Sequence, residues 1–298
     1  MTASVVEIVE VSPRDGLQNE AQAVSTEDKL RLINRAVDAG IKRLEIASFV
    51  NPKRVPRMAD AEDVIAGAPR SRDLTYIGLV MNRRGAERAL DTDIDQLGAI
   101  TLCSDTFARK NQGQTARETL DVALDVIRTA KAHGRTATVM ISSAFGCPFE
   151  GEIADADVIE YAQRLAEAEP CEIALADTIG VGDPWRVNSL FLKLREAVPG
   201  MRLRGHFHNT RNTGIANAYA AILAGATAID ASIGGLGGCP FAPAATGNIA
   251  TEDLVYMLDR AGMETGVDLT ALIDTCGWMN EIVGRQLPAM VSRAGNFP

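Results

Sequence analysis

The sequence predicts an α/β protein of the (β/α)8 TIM-barrel class. Short apolar runs rich in Val and Ile alternate with longer amphipathic stretches eight times along the 298 residues. Several of these runs lack polar alternation, as expected of strands buried on both faces of a parallel sheet. The turn after the first run reads SPRDG and lacks the GxGxxG fingerprint of an open dinucleotide-binding sheet. A closed barrel therefore fits better than an open, doubly wound sheet.

Eight strands are expected, each followed by a helical pattern. Because neighbouring parallel strands need a crossover helix, this order predicts parallel pairing throughout. The expected strands are Val5–Val11, Arg43–Phe49, Leu74–Val80, Gln96–Leu102, Thr136–Ser142, Glu172–Asp177, Leu203–His208 and Ala228–Ile233.

Capping residues mark where several helices begin or end. Ser25 begins a capping-box pattern before one helix, and Gly40 is expected just past its end. Thr115 and Glu118 form a second capping box. Asp183, which a proline follows, is expected to cap a third helix.

We expect a single domain over residues 1–298. The barrel takes about residues 5–262, and a helical extension over about residues 263–298 packs at its rim. No linker and no repeat shorter than the β/α unit is found in the sequence. With 46% hydrophobic and 23% charged residues, disordered and low-complexity classes are excluded.

Composition also limits the partners and the compartment. The formal net charge of −9 argues against nucleic-acid and membrane-surface binding. The N-terminus lacks the basic and apolar regions of a secretory signal, and no apolar run approaches the ~20 residues that cross a bilayer. Five widely spaced cysteines without a CxxC argue against a disulfide framework. We expect a cytoplasmic protein that forms a homodimer or a higher homo-oligomer.

Polar residues at the carboxyl ends of strands one and seven predict a metal site, because barrel active sites lie at these ends. Arg14 and Asp15 follow strand one, and alone they are as consistent with a pair that caps the barrel as with a functional pair. His206 and His208 project from the same side of strand seven. Two imidazoles with hard oxygen ligands suit Mg²⁺ or Mn²⁺, whereas the alternative is a pair that is only hydrogen-bonded.

A glycine-rich segment follows strand eight. Gly234–Pro243 contains four glycines in five positions, and Cys239 is its only reactive side chain. Beside a metal site such a segment predicts a lid, although a phosphate-binding turn or a spacer are alternatives. Asn248 is a candidate fourth ligand, and Glu252 is expected to orient the site unless it only complements the start of a helix.

Two acidic residues are expected inside the barrel. Glu45 lies on strand two and Asp177 ends strand six. Buried acids are costly unless they are paired or bound to a metal or substrate, so both are candidate site residues. For Asp177, a capping role in the following turn is the alternative.

Six segments together form a more specific pattern. They read RDGLQNE, ASFVNPK, GCPFEG, DTIGVG, HFHNT and GLGGCPFAPAATGNIATEDLVYML. In these segments the chain resembles the 3-hydroxy-3-methylglutaryl-CoA lyase family, metal-dependent barrels related to isopropylmalate and homocitrate synthases. The resemblance runs from about residue 5 to residue 285. The GLGGCPF loop is the specific part of the resemblance.

The resemblance implies a site built from these loops. The metal ligands would be Asp15, His206, His208 and Asn248, with Glu252 behind them. The catalytic set would be Arg14, Asp15, Glu45, Asp177, His206 and Cys239. The acyl-CoA substrate would contact Arg14, Gln18, Ser48, Arg54, Arg84, Lys110 and Asn111, several of them bases that suit the CoA phosphates.

The implied reaction is a retro-Claisen cleavage to acetyl-CoA and acetoacetate, with Mg²⁺ or Mn²⁺ as cofactor. Arg14 suits the developing thioester enolate. Asp15 or His206 is the candidate base, and His206 is favoured over Cys239 as the proton donor.

Three positions depart from the family pattern. Met140 stands where a tyrosine is typical, Asn209 replaces an aspartate, and Arg54 replaces a tryptophan. Cleavage of a related 3-hydroxyacyl-CoA is therefore an alternative. A Claisen-condensing acyltransferase and a non-catalytic barrel that binds metal or CoA are the others.

Overall fold

The computed structural model describes residues 5–238 and 247–297. Its eight strands are all parallel and close into a barrel in chain order, with β1 paired to β2 and β8. The strands are β1 Glu7–Glu10, β2 Arg43–Ser48, β3 Thr75–Val80, β4 Gln96–Leu102, β5 Thr136–Ser142, β6 Glu172–Asp177, β7 Leu203–Phe207 and β8 Ala228–Ala231. The predicted (β/α)8 architecture is confirmed.

Helices surround the barrel and cover the outer faces of the strands. They are α1 Thr26–Asp38, α2 Ala61–Gly67, α3 Arg83–Leu90, α4 Asp105–Gln112, α5 Ala116–Ala132, α6 Asp155–Ala166, α7 Pro184–Ala197, α8 Gly214–Leu223, α9 Thr251–Arg260, α10 Leu269–Val283 and α11 Val291–Ala294. The predicted caps are confirmed: Ser25 caps α1, Thr115 and Glu118 form a capping box on α5, and Asp183 caps α7. Gly40 follows α1 with a φ of 101°.

Strands β1 and β8, which pair with each other to close the barrel, are both shorter than the sequence predicts. Strand β1 ends at Glu10 because the chain enters a π-helical turn at Ser12–Gly16. Strand β8 ends at Ala231 because a 3-10 turn follows at Ile233–Gly235, where Gly234 has a φ of 71°. Both turns lie at the carboxyl ends of the strands, where they direct polar groups over the barrel mouth.

The two helices after α9 pack on the side of the barrel next to strand one. Helix α10 packs against α1 and α9, and Asp268 N donates to Ala39 O over 2.7 Å. The segment after α10 reaches the glycine turn, where Ala289 N donates to Gly234 O over 3.2 Å. Across the described ranges, none of the helices has the length and apolar character needed to span a membrane.

Candidate active site

The turn after β1 is held in place by a buried acid that sequence analysis did not single out. Glu10 Oε1 accepts hydrogen bonds from the Ser12 and Ile233 backbone amides, at 2.8 and 3.1 Å. Its Oε2 accepts from Thr251 Oγ1 at 2.6 Å. Glu10 thus joins β1, the turn after β8 and the start of α9. Its position inside the apolar run Val5–Val11 is the sequence feature that could have identified Glu10.

Asp15, His206 and His208 come together at the barrel mouth. One potential ligand atom from each lies within 4.8 Å of the others. The alternation of β7 puts both histidines on the same side, and both are buried. The predicted convergence of strands one and seven is therefore present in the structure.

The electrostatics of this cluster favour a cation. The pKa of Asp15 is lowered to about 2, because Arg14 and both histidines outweigh the effect of burial. Burial and the neighbouring His206 lower the pKa of His208 to about 4. At neutral pH the cluster therefore offers a carboxylate and a neutral His208 ring, the forms that bind a metal ion.

The donor set fits a divalent metal ion. Among the described residues, His208 Nδ1 is buried without a hydrogen-bond partner, a state that is costly unless a ligand compensates. His206 uses Nδ1 for Asp230 Oδ2, at 3.0 Å, and so keeps Nε2 for a ligand. Two imidazoles and a carboxylate are common ligands of such ions.

Asn248 adjoins the cluster through its side-chain amide. Its Nδ2 donates to Asp15 Oδ2 at 2.8 Å and to Leu236 O at 3.1 Å. Binding a metal through Oδ1 requires the amide to turn over, so the role of Asn248 as fourth ligand stays a prediction. Gly237 makes room for this amide: its φ is 127°, and a Cβ there would lie 2.6 Å from Asn248 Nδ2.

Arg14 is fixed between two carboxylates. Its Nε and Nη2 donate to Glu45 Oε1 and Oε2 at 2.8 and 2.7 Å, and its Nη1 donates to Asp15 Oδ1 at 2.7 Å. Arg14 and Glu45 are buried. Burial opposes the charge of Arg14, but these acids keep its pKa above the ordinary value, so it is a permanent, oriented cation at the mouth.

The cluster opens into a small cavity of about 140 Å³ with two unlike walls. One wall is polar and contains Arg14, Asp15 and both histidines. The other is mostly apolar, and it is formed by Leu79, Met81, Ile100, Leu102, Phe107, Met140 and Ala176. The site thus combines a charged reacting end with an apolar surface contributed by the opposite strands.

Two larger cavities continue outward from this one. Gln18 and Asn111 line both the small cavity and a second of about 730 Å³, which Arg54 also lines. Asn51 and Asn82 line both the second cavity and a third of about 510 Å³, which also contains Arg84. The three cavities are therefore neighbours that share lining residues, from the cluster of Asp15, His206 and His208 to Arg84.

Two other residues predicted to contact CoA, Ser48 and Lys110, do not line these three cavities. Ser48 is buried at the end of β2. Lys110 Nζ stands 5.1 Å from the centre of the Phe149 ring. A neighbouring base, Arg83, is paired locally with Glu87 and Asp125.

The side chains of Asp177 and Asn209 each accept hydrogen bonds from backbone amides a few residues further along the chain. The Asp177 carboxylate accepts hydrogen bonds from the Val181 and Gly182 amides, both at 2.9 Å. The geometry thus supports the capping alternative, and a catalytic role for Asp177 stays a prediction. Asn209 Oδ1 accepts from the Gly214 amide at the start of α8, at 3.1 Å.

Glu252 lies beneath the glycine segment, and both its carboxylate oxygens accept from the Gly234 amide at 3.0 Å. Burial raises its pKa to about 8, which favours the uncharged form at neutral pH. An orienting role for Glu252 stays a prediction. Cys239 lies outside the described residues, as does the second half of the predicted lid, residues 239–243.

Comparisons with known proteins agree with this geometry. The HMGL-like family profile matches residues 5–277. A hydroxymethylglutaryl-CoA lyase of Bacillus subtilis is 40% identical over 284 residues, 95% of each chain. An (R)-citramalyl-CoA lyase of Chloroflexus aurantiacus is 40% identical over 300 residues, covering 97% of this chain and 95% of its own. The solved HMG-CoA lyase of Acinetobacter baumannii, in complex with coenzyme A and 3-methylmalate, superposes with a TM-score of 0.95 at 36% identity, covering 99% and 97% of the two chains.

Proposed function

The chain belongs to the HMGL-like family, and on that premise we propose that it cleaves 3-hydroxy-3-methylglutaryl-CoA into acetyl-CoA and acetoacetate. It is a carbon–carbon lyase. The observation that carries the assignment is the convergence of Arg14 with the Asp15, His206 and His208 cluster at one cavity. An oriented cation beside a candidate metal site supports this proposal, because the cleavage needs both enolate stabilisation and activation of the C3 hydroxyl.

The reaction breaks the bond between C2 and C3 of the acyl chain. A base takes the proton of the C3 hydroxyl, and the C3 oxygen becomes the ketone oxygen of acetoacetate. The electron pair of the broken bond passes to C2 as a thioester enolate, and an acid then protonates C2 to give acetyl-CoA. Proton removal and enolate stabilisation are therefore the tasks of the site.

Arg14 is suited to the enolate oxygen. Glu45 and Asp15 fix its plane, so its charge is oriented before the substrate arrives. Asp15 and His206 are the candidate bases, but His206 has Nδ1 on Asp230 and offers Nε2 to the metal, so with a metal bound it has no nitrogen left to move a proton. Asp15 therefore remains as the candidate base and Cys239 as the candidate proton donor. A bound Mg²⁺ or Mn²⁺, held by Asp15, His206 and His208, would acidify the C3 hydroxyl.

The outer cavities suit the long arm of CoA. Gln18 Oε1, Gln114 Oε1 and both amide atoms of Gln112 are buried without hydrogen-bond partners among the described residues. All three side chains line the 730 Å³ cavity. Unpaired amides are suitable partners for the amide groups of a pantetheine arm. Arg54 and Arg84 lie farther along, where they can bind phosphates.

A second candidate substrate is a 3-hydroxyacyl-CoA whose acyl group differs from 3-hydroxy-3-methylglutaryl. The apolar wall with Met140 favours it, because that wall can take a larger alkyl group at C3. The (R)-citramalyl-CoA lyase is as similar in sequence as the hydroxymethylglutaryl-CoA lyase.

We further propose that the protein is cytoplasmic and forms a homodimer or a higher homo-oligomer.

The test is release of acetyl-CoA by the purified, Mg²⁺-loaded protein. We expect 3-hydroxy-3-methylglutaryl-CoA to be cleaved to equal amounts of acetyl-CoA and acetoacetate, and citramalyl-CoA to be compared in parallel. Cleavage of citramalyl-CoA alone would replace the first substrate by the second. An enzyme that cleaves neither, while it still binds Mn²⁺ and CoA, would overturn the lyase assignment.

A further inference from the structure

The barrel interior contains a row of four buried charged side chains that the proposed mechanism does not use. Arg43, Glu172, Arg204 and Asp230, here called the charged row, each have at most 3% of their surface exposed. They come from β2, β6, β7 and β8. Bulky branched apolar residues dominate the interior of most such barrels, and buried ion pairs seldom stabilise a fold. The charged row is therefore expected to have a function.

Opposite charges alternate along the charged row. Arg43 Nη1 and Nη2 donate to Glu172 Oε2 and Oε1, at 2.9 and 3.0 Å. Arg204 forms ion pairs with both of its neighbours in the row. Its Nε lies 3.2 Å from Glu172 Oε1 and 3.4 Å from Asp230 Oδ1. Each member is thus held by its neighbours in the row.

One end of the charged row lies against the metal cluster. Asp230 Oδ2 is 3.0 Å from His206 Nδ1, and both groups are buried. The other end, at Arg43, contacts Glu7 and Gln96 instead. Only the Asp230 end touches a predicted metal ligand, so the two ends can be perturbed separately.

We propose that Asp230 is a positioning residue for His206: it accepts the Nδ1 proton and thereby leaves Nε2 as the nitrogen that binds the metal. An imidazole has one donor and one acceptor nitrogen when neutral, so a carboxylate at Nδ1 determines the tautomer. Arg204 directs the other carboxylate oxygen of Asp230 away from the ring. This assignment rests on the proposed function only in that the metal serves the lyase reaction.

Two substitutions in the charged row separate positioning from simple stabilisation. Asp230→Asn keeps the size of the side chain but can donate to Nδ1 as well as accept from it. Glu172→Gln disturbs the same row without contacting His206. Both are expected to lower the melting temperature, because each leaves a buried arginine with a weaker partner.

The first measurement is the Mn²⁺ dissociation constant, determined by electron paramagnetic resonance. We expect Asp230→Asn to weaken Mn²⁺ binding about 10- to 100-fold. The kcat should fall with little change in KM, because Asp230 does not line the substrate cavities. The Glu172→Gln protein should bind Mn²⁺ as the unsubstituted protein does. Equal weakening in both variants, or none in Asp230→Asn, would overturn the proposal.

The second measurement needs no substitution at Asp230. The chain has three histidines, so ¹⁵N chemical shifts of the labelled protein can be assigned with His133→Gln and His208→Gln variants. At a pH above the pKa of His206, where the ring is neutral, we expect its single proton on Nδ1. A neutral ring protonated on Nε2 would refute the proposal even if Asp230→Asn failed to fold. Neither the Mn²⁺ dissociation constant nor the ¹⁵N spectrum depends on a substrate, so a protein that cleaves no CoA ester would refute the proposed function alone.

Discussion

Glu45 and Arg14 form a bidentate pair inside the barrel, with Nε–Oε1 and Nη2–Oε2 distances of 2.8 and 2.7 Å. The two residues come from β2 and from the turn after β1, which the barrel brings together. The pair fixes the plane of the guanidinium at the mouth. A planar fork of this kind cannot be reproduced by a lysine.

The first prediction concerns this pair. Arg14→Lys should lower kcat about 100- to 1,000-fold with a smaller change in KM, because the oriented donors for the enolate oxygen are lost. Glu45→Gln should have a smaller effect of the same kind, since Arg14 keeps its charge but loses its orientation. Steady-state kinetics with the CoA ester measures both. A Glu45→Gln enzyme with unchanged kcat would show that Asp15 alone orients Arg14.

The second prediction concerns metal affinity and pH. Although burial acts against it, the hydrogen bond to Asp230 raises the pKa of His206 above 6.5, whereas His208 stays neutral down to about pH 4. Below this pKa the His206 ring also carries a proton on Nε2, and a metal must displace that proton. The Mn²⁺ affinity should therefore fall as pH falls through this raised pKa. Calorimetry in buffers of different ionisation enthalpy should detect about one proton released per ion. Release of two protons near pH 6 would contradict the neutral state of His208.

The third prediction tests the outer cavities. Replacing Arg54 and Arg84 together by alanine should raise KM for the CoA ester about tenfold or more with little loss of kcat, because charge-assisted contacts to phosphates are removed. Arg83→Ala is the matched control, since Arg83 is already paired with Glu87 and Asp125. If the double variant had the KM of the control, the CoA phosphates would have to lie elsewhere.

The fourth prediction concerns the range of acyl groups. Met140→Tyr should lower kcat/KM for esters with a larger 3-alkyl group about 10- to 100-fold, because it narrows the apolar wall of the small cavity. Activity on 3-hydroxy-3-methylglutaryl-CoA should change much less. Met140→Leu, which keeps an apolar side chain of similar volume, is the control. Parallel losses on small and large esters would mean that Met140 does not set the range.

The fifth prediction concerns stability. Burial raises the pKa of Glu252 to about 8, so the folded protein retains a proton that the unfolded chain loses above about pH 4.5. The free energy of unfolding should therefore decrease as pH rises between these values. Between pH 5 and 8, the free energy of unfolding of the unsubstituted protein should fall by on the order of 4 kcal/mol more than that of Glu252→Gln. Urea unfolding of both proteins measures this, and parallel pH profiles would refute it.

Local sequence patterns determined the fold and most of the site's location. Apolar periodicity and capping residues such as Ser25 and Thr115 act over a few residues, so they can be interpreted without knowing which strands pair. The spacing of His206 and His208 likewise fixes a shared side of one strand. Together with the rule that barrel sites lie at the carboxyl ends, these patterns predicted which loops meet.

The closure of the barrel decided which charges pair, and no local pattern contains that information. Glu10 meets the Ile233 amide and Arg43 meets Glu172 across more than a hundred residues of chain. Which carboxylate faces which cation depends on the register of all eight strands, and burial makes each such choice energetically decisive. The sequence by itself thus determined the barrel and its reactive loops. The tertiary structure alone decided that Glu45 would hold Arg14 and that Asp230 would hold His206.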